Sequence, residues 1–127
     1  MLIVNIMYLV VLLAGGVVGT FFRYKIMEFP LFCMQLKLNV LLVNIVGSFI
    51  IGGFYALSQK YNLDVRYVLF ISTGFCGAFT TMSSCVLETM VLWQNGHFLL
   101  GLGAIFLNVI FSLAAVWFGL VLVSSLS

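Results

Sequence analysis

The chain has 127 residues, 65% of them hydrophobic and 6% charged. Soluble domains carry about 25% charged residues, so the composition excludes a water-soluble fold and indicates an integral membrane protein. A net charge of +2 argues against a nucleic-acid partner, and the length allows one small domain over residues 1–127.

Residues 2–22 form an apolar run of about the ~20 residues that cross a bilayer, within a first span of residues 2–24. The run lacks a basic leading region and is too long for the core of a signal peptide, so it reads as the first transmembrane helix. Gly15 and Gly19 form a small-xxx-small pair that lets helix backbones approach closely. Lys25 suits a helix C-terminus and snorkels toward headgroups. Arg23 sits closer to the span, placed either to fix an anion or to tie down a neighbouring helix. A short loop through Glu28, Phe29-Pro30, Cys33 and Lys37 leads to the second span, residues 38–58. There Ser48 and Gly52 form another packing pair. Asn44 is a buried amide that needs partners, either across helices or along a water-filled path.

The third span, residues 67–93, holds the least regular stretch, Gly74-Phe75-Cys76-Gly77-Ala78-Phe79-Thr80-Thr81-Met82-Ser83-Ser84-Cys85. Glycine tolerates non-helical backbone, and irregular backbone at membrane depth survives only in protein or against water. The stretch therefore reads either as a broken helix that forms the functional centre, or as a plain helix whose hydroxyls bond back to its own carbonyls. Glu88 lies four residues beyond Ser84 on nearly the same helical face, placed to pair with an arginine or meet the interface. Gln94-Asn95-Gly96-His97 is a turn signal, with His97 an ordinary loop residue. Cys33, Cys76 and Cys85 match no zinc, haem or redox spacing, and the last two read as packing residues. The fourth span covers residues 98–126. Asn108 and Ser112 stack on one face of it, as a short polar track or as interhelical glue.

Four spans put Arg23, Lys25 and Lys37 on one side and Lys60 and Arg66 on the other. So small a positive-charge bias allows insertion in both orientations. Two such chains, paired up and down, make an antiparallel dimer.

Three motifs, in order and in register, resemble the fluoride channels called Fluc or CrcB. Gly15-Gly16-Val17-Val18-Gly19-Thr20-Phe21-Phe22-Arg23-Tyr24 resembles that family's GGxxGxxxRY, Asn44-Ile45-Val46-Gly47-Ser48-Phe49 its NxxGSF, and Gly74 to Thr81 its GFCGGxTT. The resemblance implies an all-α membrane protein of four transmembrane helices with the third broken near its middle, assembling as an antiparallel, dual-topology dimer. It implies a passive, fluoride-selective channel that exports F⁻ across the cell membrane and lowers cytoplasmic toxicity. It also implies a structural Na⁺ at the dimer centre, held by the backbone carbonyls of Gly77 and Thr80, as suits a hard cation. Asn44 maps to the pore-lining amide, Ser112 to the polar track beside Asn108, and Arg23 to the pore vestibule. Thr81, Ser83 and Ser84 belong to the anion path at the break.

The chain departs from the family where two pore phenylalanines are expected. Met82 and Cys85 stand there, and neither has an aromatic quadrupole. Asn39-Val40 replaces a Gly-Thr pair, and Ala104 and Val116 thin the polar track. An alternative reading is therefore a non-conducting or half-conducting subunit paired with a homologous chain. A small multidrug transporter is a third reading, but it needs a carboxylate in the first span, and none occurs before Glu28. His97 has no companions for catalysis, so no enzymatic role is expected.

Overall fold

At bilayer depth each apolar run must satisfy its own backbone hydrogen bonds, and four helices long enough to cross result: Asn5–Glu28, Leu38–Tyr61, Val65–Gln94 and Phe98–Ser125. The computed structural model describes residues 2–29, 31–33 and 36–126. Helix α1 spans Leu2–Glu28 and α2 spans Leu38–Tyr61. Between them Phe32–Cys33 (β1) pairs antiparallel with Leu36–Lys37 (β2), a minute ladder that the all-helical expectation did not contain. Pro30, expected in this loop, lies outside the described residues. The third span is composite. It runs through α3 (Val65–Val68), a π-helical segment (Leu69–Cys76) and α4 (Gly77–Phe79), then restarts as α5 (Met82–Gln94). Helix α6 spans Phe98–Ser125.

Local chemistry explains the ends. The last turn of α1 carries a Lys25–Glu28 ion pair at 2.8 Å, an i,i+3 contact that supports helix and carries α1 past residue 24. Asn62 closes α2 in the left-handed region, with φ 46°, and its N–H returns to Ser58 O, a common helix stop. The Asp64 carboxylate accepts from Arg66 N at 2.8 Å and caps α3. Gly96 supplies the positive φ, 81°, that the turn before α6 requires.

Packing follows the small residues. A methyl group on Gly15 would strike the carbonyl of Phe70, and one on Gly19 the carbonyl of Phe75. The two glycines therefore let α1 lie against the backbone of the π segment, as the small-xxx-small reading expects. Gly52 meets the Val116 carbonyl and Gly119 the Phe49 carbonyl, which brings α2 and α6 into close crossing. The core lies where α2, α5 and α6 meet, with Val40, Val43 and Cys85 almost wholly buried. Outward faces keep large apolar side chains such as Val17, Leu99 and Trp117 exposed, which suits hydrocarbon as the surrounding solvent. The chain is a multi-pass integral membrane protein.

Candidate functional site

The third span breaks at Thr80 and Thr81. Both are extended, with φ −81°, ψ 158° and φ −153°, ψ 101°. The glycines do not make the break, contrary to their expected role: Gly77 is helical, with φ −61° and ψ −35°, and Gly74 serves packing, since a methyl there would press on the Leu12 carbonyl. The break is made from α2. Asn44 Oδ1 accepts from Thr81 N at 2.8 Å, and Asn44 Nδ2 donates to Thr81 O at 3.3 Å. The same Nδ2 donates to Asn108 Oδ1 at 2.8 Å, and Asn108 Nδ2 donates to Ala104 O at 3.0 Å. Asn44 thus imitates a neighbouring strand and draws the Thr81 peptide out of the helix. Gly47, three residues on, gives Thr80 its room, because a methyl there would overlap the Thr80 methyl.

The two ends of the break are finished locally. Thr80 N and Oγ1 both donate to Cys76 O, at 3.0 and 2.9 Å. Thr81 Oγ1 accepts from Ser84 N at 3.2 Å and donates to Ser84 Oγ at 2.9 Å, capping α5, with Ser83 Oγ 3.3 Å away. Arg23 Nη1 donates to Thr80 O at 3.3 Å. This bond ties α1 to the break.

The carbonyls expected to hold a cation fit in part. The amide that would close the α-helical bond to Gly77 O is Thr81 N, which donates to Asn44 instead. Gly77 is exposed on the single chain. Thr80 O carries the guanidinium of Arg23 but keeps a second lone pair. One chain offers two backbone oxygens here, fewer than a hard cation usually takes. Among the described residues no group of three or more His, Cys, Asp or Glu side chains gathers as an alternative site.

A cavity of about 410 Å³ opens beside the break, with Asn44, Ser48, Ser72, Met82, Asn108 and Ser112 on its walls. Met82 is half-exposed there, while Cys85 is 1% exposed within the core and lies on neither this wall nor the next. A second cavity, of about 540 Å³, lies toward the β ladder and is bordered by Glu28, Lys37, Asn39, Ser84 and Glu88. Glu88 has no ion pair among the described residues. His97 stays in the exposed turn before α6.

Two roles escaped sequence reading. Asn39 Nδ2 donates to Ile26 O and Phe29 O, both at 2.6 Å, and its Oδ1 accepts from Leu31 N, so the amide clasps the end of α1 and the loop after it. No local pattern announces a side chain that caps a distant loop. Ser72 is one hydroxyl in an apolar run, and only the cavity shows that it borders the same space as Ser48 and Ser112.

The fold and site define a small four-span membrane protein whose third span is opened by an asparagine of the second, beside a mostly apolar cavity that carries a few hydroxyls and amides. The family model described as CrcB-like protein, Camphor Resistance (CrcB), matches residues 10–120, and the chain belongs to that family. It is similar to the fluoride-specific ion channel FluC of Nitrosopumilus maritimus, 48% identical over 101 residues that cover 80% of this chain and 77% of the relative. It is also similar to proteins of the same name from Methanocaldococcus jannaschii, 42% identical over 85% of this chain and 87% of the relative, and Leptospira interrogans, 37% identical over 81% and 87%.

Proposed function

We propose that the chain is a fluoride-specific ion channel that passes F⁻ passively out of the cell. The observation that carries this reading is the opened third helix, held by Asn44 against a cavity whose polar groups are all neutral. The names of the relatives agree with it. Fluoride holds its water tightly, so a pore that admits it must replace those contacts with small, well-placed donors. Amides and hydroxyls suit that task, and no nucleophile or base is needed.

The working unit in this reading is an antiparallel dimer, formed from two copies or from this chain and a homologous one. Its rationale is the small-residue face of α1 and the third span, where Gly16, Thr20, Thr73, Gly77 and Ala78 border an open hollow of the single chain. Two copies would bring together two Gly77 and two Thr80 carbonyls, which would hold a structural Na⁺. When bound, such an ion supplies positive potential near the anion path. Arg23, Asn44 and Thr81 then serve to hold the carbonyls in place.

The test is fluoride efflux from liposomes that contain the purified chain alone, with chloride as control and Na⁺ present. Fluoride-selective efflux supports the channel. A folded dimer without efflux would overturn the homodimeric channel and call for co-expression with a phenylalanine-bearing homologue.

A further inference from the structure

Hydroxyls inside helices commonly return a hydrogen bond to a carbonyl one turn back. In this chain Thr80 Oγ1 reaches Cys76 O at 2.9 Å and Thr89 Oγ1 reaches Cys85 O at 3.0 Å. Ser58 and Ser125 do the same toward Tyr55 O and Leu122 O, each at 2.9 Å. Ser48 on α2, Ser72 on the π segment and Ser112 on α6 do not. Among the described residues, none of these three hydroxyls has a hydrogen-bond partner. All three line the cavity of about 410 Å³. Every fully buried side-chain oxygen among the described residues has a partner, so these three open onto accessible space, and the cavity is the space they share.

Unpaired hydroxyls facing hydrocarbon are costly. Three of them, converging from three separate elements, call for a polar occupant. The cavity has no charged side chain on its wall, so no carboxylate repels an anion there. Both N–H groups of the Asn44 amide, which borders the same space, are taken by Thr81 O and Asn108 Oδ1, and one of the two on Asn108 by Ala104 O. The free donors at this depth are therefore the three hydroxyls and the second N–H of Asn108. The π segment contributes one of them. Gly77 N bonds to Ser72 O, five residues back, and such widened turns recur at functional sites.

We propose that Ser48, Ser72 and Ser112 form a three-donor fluoride site, with Ser72 the residue that determines its affinity. The site deepens the fluoride reading and rests on it for the identity of the anion. Each hydroxyl turns its proton to the ion, and the three O–H donors replace part of the lost hydration shell.

The experiment titrates sodium fluoride into the detergent-solubilised full chain and follows the ¹⁹F line width, with chloride as competitor. Efflux from liposomes is measured in parallel. Ser72→Ala is expected to weaken fluoride binding about 10- to 100-fold, the usual scale for one hydrogen bond to a charged group, and to slow efflux comparably. Ser72→Thr keeps the hydroxyl and is expected to restore both. Ser48→Ala and Ser112→Ala are expected to act in the same direction. If Ser72→Ala fails to give a monodisperse species, Ser72→Cys, of similar shape and weaker donor strength, takes its place. Undiminished binding in Ser72→Ala, or in Ser72→Cys where it takes its place, overturns the site, as does a wild-type chain that binds no fluoride. A wild-type chain that binds fluoride with the expected Ser72 dependence but passes none would overturn the channel reading and leave the site standing.

Discussion

Replacing Asn44 with Ala removes the group that opens the third helix. Three hydrogen bonds are lost at once: Thr81 N to Oδ1, and Nδ2 to Thr81 O and to Asn108 Oδ1. Interhelical side-chain hydrogen bonds in membranes average ~0.6 kcal/mol and reach ~1.7 kcal/mol. Three of them therefore give a destabilisation of about 2–5 kcal/mol. Part is recovered, because Thr81 N is then free to close on Gly77 O and extend α4 by a residue. That recovery has a functional cost, since it withdraws the Gly77 carbonyl from the surface of the break. Asn44→Ala is thus expected to fold with a lowered melting temperature and to lose fluoride efflux. Asn108→Ala removes one of these three bonds together with its own bond to Ala104 O, two in all, and is expected to cost about two-thirds as much. The assay pairs thermal unfolding in detergent with efflux from liposomes at matched protein density. An Asn44→Ala chain with wild-type efflux and wild-type melting would refute the argument that this amide holds the break open.

Gly19→Val should fail more severely than Gly16→Val in the isolated chain, because a side chain at Gly19 meets the Phe75 carbonyl whereas nothing lies within 4 Å at Gly16. Overpacking of this kind costs typically ~1–3 kcal/mol, and size-exclusion yield of folded protein reads it. Met82→Phe should fold normally, since Met82 is 53% exposed on the cavity, while Cys85→Phe should lose about 1–3 kcal/mol for forcing a ring into a site 1% exposed. Equal melting temperatures for the two variants would contradict this placement. Asp64 gives a small pH effect. The side chain of Arg66 holds its carboxylate below the usual range, with the Arg66 backbone N–H adding to the effect, so its contribution is present above the unfolded pKa of about 3.9 and is lost as pH falls through the lower folded value. The difference in stability between wild type and Asp64→Asn should therefore shrink below about pH 4, as acid melts of the two proteins would record.

Much of the architecture was legible because lipid imposes simple rules. Hydrocarbon thickness sets helix length, and the four apolar runs marked the four spans to within a few residues. Gly15 and Gly19 announced a close approach, because only a missing side chain permits one. Asn44 announced a partner, because an amide at that depth must have one. The motifs in register also placed the chain in its family. What the partner was could not be read from the linear chain. Asn44 and Thr81 are far apart in sequence, and their bond exists only because α2 crosses the third span at that height. That crossing moved the break from the glycines, the locally permissive residues, to two threonines that are not. It also separated Met82 from Cys85, neighbours in one motif, by turning the first to the cavity and the second into the core. Ser72 gained its meaning the same way. A hydroxyl in an apolar run is commonplace, and only the packing of three elements around one space leaves it without a carbonyl to satisfy it. Segment, length and close approach are local properties that side-chain chemistry dictates directly. Which groups face one another is a property of the assembled helices, and tertiary structure alone decided it.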